Sequence, residues 1–457
     1  MKTMRHMKKL FFFLFLGAAF WSCKNSGNGE LIGVQDREPF FPPDPFGMVF
    51  VPAGSFTMGA SDQDVPYALT HQPKTATVQA FYMDETEITN NEYRQFVFWV
   101  KDSIALKLLG DATPEDYLIQ ENEYGEPYDP PFLNWKASVD YEDQATREVL
   151  QEMYLPEHER FYRIKQIDTR KLNFQYYWID LKAAARKDFS APGNNEAGSL
   201  NNRPQGLKDR SVYIRKEVIN VYPDTLAWVH DYAYSFNEPM TEKYFWHPAY
   251  DNYPVVGVSW KQAKAFCVWR SQLLHSYHNQ RGEVIVNEFR LPTESEWEWA
   301  ARGGLQLSPY PWGGPYIRNT EGCFLGNYKP LRGNYIDDGG IQTVIAAHYA
   351  PNDFGLYDMS GNVAEWTNDA FDESAYNFTW DLNMSYDYTA KETDAPALKR
   401  KVIRGGSWKD VGYYLQVSSR SYEYQDTAKC YIGFRCVQTY LGRQKDDNPA
   451  TSSNIYN

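Results

Sequence analysis

The fold is most clearly indicated by one stretch of the chain, Arg290-Leu291-Pro292-Thr293-Glu294-Ser295-Glu296-Trp297-Glu298-Trp299-Ala300-Ala301-Arg302-Gly303-Gly304. Thr293 and Glu296 have the spacing of a capping box, in which each side chain accepts a hydrogen bond from the backbone of the other residue. This pattern predicts a short helix that ends at Arg302. Glu294, Glu296 and Glu298 could also indicate paired carboxylates for hydrolysis. That alternative is disfavoured because Glu296 is expected to cap the helix while its neighbours face different ways.

Two longer helices and two strand regions are predicted before this stretch. A helical pattern follows Thr89 and runs to about Leu109, with apolar residues on one face. Ser259 opens another helix with a capping box of its own. Runs rich in apolar residues predict strands over 48–58 and 78–83.

The composition excludes some classes of function. The 457 residues include 46 Lys and Arg against 59 Asp and Glu, which gives a formal net charge of −13. Binding to a phosphate backbone needs a basic patch, and none is found, so no nucleic-acid partner is expected. The mean hydropathy of −0.61 argues against a protein with several membrane spans.

The N-terminus has the features of an exported lipoprotein. Basic residues precede the apolar run Leu10 to Trp21, which spans about 18 Å as a helix and is too short for a bilayer core of about 30 Å. Residues 1–22 are therefore predicted to be a signal peptide. The sequence Phe20-Trp21-Ser22-Cys23 resembles a bacterial lipobox, so Cys23 is the expected lipidation site; ordinary cleavage leaving a free thiol is the alternative. Residues 23–47 are expected to be a lipidated tether.

Six further blocks occur with the first stretch. They are Met48-Val49-Phe50-Val51-Pro52-Ala53-Gly54-Ser55-Phe56-Thr57-Met58-Gly59, Phe81-Tyr82-Met83-Asp84-Glu85-Thr86-Glu87-Ile88-Thr89-Asn90, Pro254-Val255-Val256-Gly257-Val258-Ser259-Trp260, Gly355-Leu356-Tyr357-Asp358-Met359-Ser360-Gly361-Asn362-Val363, Arg404-Gly405-Gly406-Ser407 and Gly433-Phe434-Arg435-Cys436. Together the seven blocks resemble the sulfatase-modifying-factor family, whose parent enzyme makes formylglycine. The resemblance implies an irregular α+β domain of the formylglycine-generating-enzyme-like, C-type-lectin-related kind over 48–440. It also implies a large insertion at about 101–245, and a polar tail is expected over 441–457.

A narrower resemblance concerns the cellular role. The lipobox followed by this domain and its insertion is similar to the gliding-motility lipoproteins of the GldK/PorK kind, which belong to the type IX secretion machinery of Bacteroidetes. The resemblance implies a structural ring subunit on the periplasmic face of the outer membrane. It would associate with itself and with a GldN/PorN-type partner. Lys24 follows the lipidation site, where surface-exported lipoproteins of these bacteria have acidic residues.

The resemblance also implies that oxidase activity is absent. Enzymes of the family bind copper through two cysteines placed shortly after the motif that begins at Arg404. Asp410 and approximately Leu415 stand at those positions, and no cysteine occurs between Cys323 and Cys430. Neither replacement supplies a thiolate for copper, so neither copper nor catalysis is expected. Two other functions stay open: a lectin-like module that binds peptidoglycan or another envelope polymer, and a surviving oxidase or divergent oxygenase.

Calcium is the cofactor that the resemblance does imply. The first site maps to Asn327, the carbonyl of Tyr328, Asp338 and the carbonyl of Gly340. The second maps to Asp358, the carbonyls of Gly361 and Val363, and Glu365. Oxygen ligands of this kind suit a hard cation, and each ion is expected to be structural. The alternative is that these carboxylates bond only to loop amides.

Four cysteines remain after Cys23, and an exported chain is expected to form disulfides with them. Their sequence positions allow three pairings. The family resemblance implies Cys267 with Cys436, which leaves Cys323 with Cys430.

Two aromatic runs lie in the second half of the predicted insertion, at Phe174 to Trp178 and Tyr244 to Trp246. They could stack on sugars, but packing in a core or an interface is the commoner role of such residues. Aromatic surfaces of the insertion are the expected contacts for ring assembly.

Overall fold

A computed structural model describes residues 43–60, 72–122, 124–185, 210–231, 239–330, 334, 336 and 340–442. The predicted signal peptide, the lipidation site Cys23 and the tether up to residue 42 lie outside the described residues. The predicted tail beyond residue 442 and the candidate calcium ligand Asp338 also lie outside them. Residues 43–441 pack as one unit.

Capping boxes begin the main helices where the sequence predicts them. Thr89, Ser259 and Thr293 each accept a hydrogen bond from the backbone three residues later, and the reciprocal bond is also present. The helices are α1 (Asn90–Ala112), α2 (Pro114–Tyr117), α3 (Gln144–Val149), α4 (Leu181–Ala185), α5 (Ala227–Asp231), α6 (Pro239–Lys243), α7 (Trp260–Arg281), α8 (Glu294–Arg302) and α9 (Ala375–Phe378).

The strands are short, and most lie outside the segment 101–245. They are β1 (Met48–Val51), β2 (Gly54–Met58), β3 (Lys74–Val78), β4 (Phe81–Asp84), β5 (Leu118–Glu121), β6 (Pro127–Leu133), β7 (Asn173–Ile179), β8 (Ile214–Asn220), β9 (Phe289–Arg290), β10 (Ala364–Ala370), β11 (Arg400–Arg404), β12 (Ser421–Tyr424), β13 (Ile432–Gly433) and β14 (Val437–Thr439).

Both strand regions predicted near the N-terminus are wrong in their extent. The region 48–58 is two strands that separate at Pro52 and Ala53, and the region 78–83 combines the end of β3 with most of β4. The reason is that the chain changes sheets at both breaks: β1 pairs with β4, whereas β2 pairs with β3.

Two four-stranded sheets organise the domain. One has the order β1-β4-β14-β9 and is antiparallel at each junction. The other has the order β12-β11-β10-β13, with a parallel pairing between β10 and β13. Separate hairpins are formed by β2 with β3, β5 with β6, and β7 with β8. The structure is therefore a mixed helix-and-sheet fold.

The core between α1 and α7 is largely aromatic. Tyr93 stacks on Phe266 with ring centroids 5.6 Å apart, and Phe96 packs against Trp269 at 5.2 Å. Phe174 of β7 meets Phe96 edge to face at 5.3 Å. The first aromatic run of the segment 101–245 is thus partly core, as predicted, because its alternate residues point toward α1.

Among the described residues, none of the helices has both the length and the apolar character required to span a membrane.

Candidate functional site

Helix α8 supplies the acidic side chains around which the sequence blocks meet. Glu298 is fully buried and pairs with both Arg302 and Arg404; the contact from Arg302 Nη2 to Glu298 Oε1 is 2.6 Å. Arg404 also donates to the carbonyls of Ser418 and Ser419 at 2.9 Å. The arginine that opens the Arg-Gly-Gly-Ser motif is therefore a structural cation, held within the core by helix α8.

Glu294 extends the same buried ion network. It accepts two hydrogen bonds from Arg420, at 2.5 Å and 3.0 Å, and one of 3.1 Å from the hydroxyl of Tyr376. Arg404 lies 3.6 Å from Glu294 as well as in contact with Glu298. The prediction that the neighbours of Glu296 face different ways is wrong, because residues four apart share a helix face. Arginines compensate both carboxylates, so they do not form a hydrolytic pair.

A second buried ion pair joins two other blocks. Arg435 binds Glu365 with its Nε and Nη2 atoms, the shortest contact being 2.6 Å. Trp297 of α8 donates its indole N–H to the same carboxylate at 2.8 Å. All three side chains are almost completely buried. Glu365, a predicted calcium ligand, is therefore already committed to a cation and an indole.

The two positions where the family resemblance places catalytic cysteines are filled in different ways. Asp410 accepts hydrogen bonds from the backbone amide and the hydroxyl of Ser407, at 2.9 Å and 2.7 Å. Burial raises the pKa of Asp410 above its usual value. Leu415 is fully buried against Tyr310 and Tyr328. One position thus holds a turn together and the other belongs to a hydrophobic cluster.

A tryptophan from the segment 101–245 covers the neighbouring part of this region. Trp228 of α5 stacks on Trp408 with ring centroids 5.9 Å apart and an interplanar angle of 15°. Tyr244 also packs against Trp228, with ring centroids 5.1 Å apart, and Cys430 belongs to the same buried cluster. The residue after the Arg-Gly-Gly-Ser motif is therefore shielded by a side chain whose role the sequence analysis did not identify.

The first candidate calcium site is only partly described. Asn327 is buried and its amide nitrogen donates to the carbonyl of Gln342 at 2.7 Å. The same nitrogen also lies 3.4 Å from the Oδ1 atom of Asn362. Gly361, a candidate ligand of the second site, lies very close to Asn327. A Cβ atom added to Gly361 would be 2.5 Å from the carbonyl oxygen of Asn327. The two candidate sites are therefore adjacent, and this approach requires glycine at 361.

The second candidate site has one well-placed ligand. Asp358 Oδ2 accepts a hydrogen bond of 2.7 Å from Ala347, whereas its Oδ1 atom is buried without a hydrogen-bond partner. Burial raises the pKa of Asp358 to about 6. An oxygen left unsatisfied in the interior is costly, and a cation would satisfy it. Asp358 therefore fits a calcium site better than Glu365 does.

The sequence analysis missed a third carboxylate beside these residues. Glu87 is completely buried; it accepts hydrogen bonds from Asn362 at 2.7 Å and from the amide of Val363 at 3.2 Å. Burial, followed by the negative charges of Asp358 and Glu365, raises its pKa well above the usual value. Glu87 occurs in the sequence block that also contains Asp84 and Thr89, and nothing in that block indicates a contact with Asn362 or Val363. Within the described residues, no group of three or more His, Cys, Asp or Glu has a geometry suited to a metal ion.

The four cysteines within the described part of the chain are thiols. The Sγ atoms of Cys267 and Cys436 lie 3.4 Å apart in the buried core. Cys430 is buried and Cys323 is partly exposed. The contact between the first two agrees with the predicted pairing, and both predicted disulfides stay predictions.

Peptide mapping under non-reducing conditions is expected to recover Cys267 linked to Cys436, because their sulfur atoms are already in contact. Chain export would supply the oxidising conditions. Recovery of Cys267 linked to Cys430 would contradict this pairing.

Comparison with known proteins identifies the domain. The family model described as "Sulfatase-modifying factor enzyme 1-like domain" (FGE-sulfatase) matches residues 38–440. The formylglycine-generating enzyme of Bos taurus is 25% identical over 406 residues, which are 88% of this chain and 76% of that protein. The formylglycine-generating enzyme of Streptomyces coelicolor is 34% identical over 192 residues, 41% of this chain and 52% of that protein.

A relative described as inactive also matches. The "Inactive C-alpha-formylglycine-generating enzyme 2" of Bos taurus is 35% identical over 193 residues, 40% of this chain and 50% of that protein. Among solved structures, PvdO from Pseudomonas aeruginosa aligns with a TM-score of 0.42 and 18% identity, covering 86% of this chain and 94% of that one. With the family model matched over residues 38–440, the chain belongs to the FGE-sulfatase family of sulfatase-modifying factor enzyme 1-like domains.

Proposed function

We propose that this chain is a non-catalytic outer-membrane lipoprotein that serves as a structural ring subunit of the type IX secretion and gliding-motility apparatus of Bacteroidetes. The basis of this role is the resemblance of the lipobox at Cys23, followed by this domain and its insertion, to GldK/PorK-type lipoproteins. The proposed partners are further copies of the chain and a GldN/PorN-type protein. The segment 101–245 is the proposed insertion in a C-type-lectin-related domain.

The observation that best supports the absence of catalysis is the filling of the expected catalytic positions. Asp410 is bonded to Ser407, Leu415 is fully buried, and Trp228 stacks on Trp408. A thiol-dependent copper oxidase needs soft ligands and an open path for the substrate. Neither replacement is a thiolate, and packed side chains occupy their surroundings.

An oxidase assay tests this part of the proposal. Purified full-length chain would be incubated with copper, a reductant, oxygen and a cysteine-containing sulfatase peptide, and the peptide would be examined by mass spectrometry. We expect no conversion of cysteine to formylglycine. Conversion that stops when Asp410 or Leu415 is replaced would overturn the non-catalytic assignment.

Exposed apolar side chains on the segment 101–245 support a role in assembly. Tyr177, Ile179 and Ile214 are exposed on one face of the β7–β8 hairpin, and Ile179 pairs directly with Ile214. Tyr162 and Phe132 are exposed elsewhere on the segment. Extended apolar surface of this kind is typical of sites that contact other proteins.

The lipid anchor gives a separate prediction. Cys23→Ala is expected to release the protein from membranes, because acyl chains on that cysteine would supply the attachment. Cell fractionation would measure the release. Protease treatment of intact cells should leave the wild-type protein undigested, and digestion would contradict a periplasmic orientation.

We further propose that calcium binds near Asp358 and Asn327. The unpartnered Oδ1 atom of Asp358 supports this, together with the close approach of Gly361 to the carbonyl oxygen of Asn327. Carbonyl oxygens of Gly361 and Val363 would complete the second site, and Asp338 and Gly340 the first. The ion would supply positive charge to a region where burial, and then the negative charges of Asp358 and Glu365, raise the pKa of Glu87. The ion would stabilise irregular loops that have no helical or sheet hydrogen bonds to hold them in place.

Removal of calcium is expected to lower the melting temperature, since a ligand that binds only the folded state stabilises it. At a free concentration of about 100 times the dissociation constant, the loss is about 2.7 kcal/mol per site. Asp358→Ala should remove the second site's share, whereas Glu159→Ala, on an exposed ion pair, should not. An unchanged thermal transition on chelation, with no calcium in the purified protein, would leave these residues as loop hydrogen-bonding groups.

A second candidate function is a module that binds peptidoglycan or another envelope polymer. One feature favours it, a polar and aromatic cavity between the end of β10 and the start of β11. This candidate is compatible with the scaffold role because the cavity lies outside the segment 101–245.

A further inference from the structure

A surface cavity lies between the end of strand β10 and the start of β11. Its volume is ≈ 470 Å³, within the range of about 300–1,000 Å³ found for small-molecule sites. Its lining includes the aromatic rings of Phe371, Tyr386 and Tyr388 and the charged groups of Asp372, Glu373 and Arg400. The cavity borders the ion network of helix α8, because Arg420 donates to the backbone carbonyl of Asp372 at 3.3 Å and lies over the ring of Phe371.

The aromatic rings are held by their neighbours. Phe371 packs against Tyr422 with ring centroids 4.7 Å apart, and Tyr386 meets Phe378 edge to face at 5.1 Å. The hydroxyl of Tyr388 donates to Asp394 at 2.9 Å. These contacts fix the orientation of the rings before any ligand binds, which lowers the entropy that binding would cost.

Arg400, the basic residue in the cavity lining, has a hydrogen-bond donor without an acceptor. Arg400 lies over the ring of Tyr422, with its Cζ atom 4.4 Å from the ring centroid. Its Nε atom is buried and has no hydrogen-bond partner. Unsatisfied donors of this kind are rare in native proteins and call for an explanation. A ligand oxygen near the guanidinium would draw the group toward the cavity and satisfy it.

Asp372, an acidic residue in the cavity lining, can accept further hydrogen bonds. Asp372 Oδ1 accepts two hydrogen bonds of 2.7 Å from Ser374, one from its amide and one from its hydroxyl. The other carboxylate oxygen, Oδ2, is not used in these bonds. Asn377 lines the cavity as well and is exposed. The cavity therefore offers acceptors on one side and a donor on the other.

This combination selects a ligand class. Hydroxyl groups both donate and accept hydrogen bonds, and they can satisfy Asp372 and Arg400 at the same time. A pyranose ring also has an apolar face that can pack on an aromatic side chain. The lining combines two carboxylates, Asp372 and Glu373, with the guanidinium of Arg400, so a fully anionic ligand meets like charges and a fully cationic one meets Arg400. We propose that this cavity binds a saccharide unit of a neutral glycan, a site that rests on the second candidate function and not on ring assembly.

Saturation-transfer NMR with tetra-N-acetylchitotetraose tests the proposal on purified full-length protein. We expect transfer to the saccharide, and binding about tenfold weaker in Tyr386→Ala and in Arg400→Gln. Arg400→Gln should fold, because no hydrogen bond from its side chain to a described residue is lost. Tyr177→Ala, which removes an exposed aromatic ring from the β7–β8 hairpin, is the matched control and should bind normally.

Other outcomes overturn the proposal. Absence of transfer from folded wild-type protein would do so, as would binding that Arg400→Gln leaves unchanged. A tetralysine peptide serves as the competing probe: if it binds, is lost in Asp372→Asn and the saccharide does not bind, the cavity is a site for basic peptides. Absence of saccharide binding would leave the proposed scaffold role intact, since ring assembly is measured separately.

Discussion

Glu298→Ala is expected to lower the free energy of unfolding by about 3–5 kcal/mol, the usual cost of removing one partner from a buried ion pair. The substitution would leave Arg302 without its carboxylate partner and deprive Arg404 of its closest one. It would also remove the acceptor for the amide of Gly59 at 2.9 Å. Glu294 lies 3.6 Å from Arg404 and would balance only part of the positive charge that loses its partner.

Denaturant-induced unfolding, followed by circular dichroism, would measure this effect. The matched control is Glu159→Ala, which removes a carboxylate from the exposed ion pair with Arg170. Exposed pairs contribute at most about 1 kcal/mol, so the control should unfold close to the wild type. Equal, small losses for the two variants would show that the network of helix α8 does not hold the sheets together.

Trp228→Ala is expected to cost about 3–5 kcal/mol, the range for replacing a buried large aromatic residue by alanine. Trp228 is buried between Trp408 and Tyr244. Its removal would leave a cavity beside the Arg-Gly-Gly-Ser motif and weaken the packing of α5 against this part of the domain. The loss would concern stability alone, because no catalytic activity is expected.

Thermal unfolding and limited proteolysis would measure this second effect. Trp380→Ala is the control, since Trp380 is 86% exposed and substitutions of such residues change stability by about 0.5 kcal/mol or less. Trp228→Ala should also make the segment 101–245 more sensitive to protease. A wild-type melting temperature in this variant would contradict the proposed shielding role.

The features that the sequence predicted well are those that depend on neighbouring residues. Each capping box joins residues three apart, so Thr89, Ser259 and Thr293 could be assigned as helix starts without knowledge of the fold. The family blocks also indicated the correct family, and residues from different blocks, such as Glu298 and Arg404, meet in the core.

Long-range contacts could not be predicted in the same way. Glu298 and Arg404 are 106 residues apart in the chain, and nothing near either residue indicates the other. The burial of Glu87 against Asn362 depends on a contact between residues 275 apart. The boundaries of β1 to β4 failed for a related reason: only the pairing partners show that the chain changes sheets at Pro52.

The proposed calcium ligands differ in their surroundings. Asp358 could be proposed from its block alone, and its unpartnered oxygen is consistent with that proposal. Glu365 occurs in the same region of sequence, yet its carboxylate binds Arg435 and Trp297. Sequence position placed both residues near the site, whereas only the three-dimensional contacts separate an available ligand from an occupied one.

The central proposal, a non-catalytic ring subunit, is tested most directly by isolating the wild-type protein from bacterial envelopes in mild detergent. Light scattering would give the mass of the particle, and electron microscopy its shape. We expect ring-shaped particles that contain many copies of this chain together with a second protein. A monomer that forms no particle with other envelope proteins, and that converts peptide cysteine to formylglycine, would contradict the proposal.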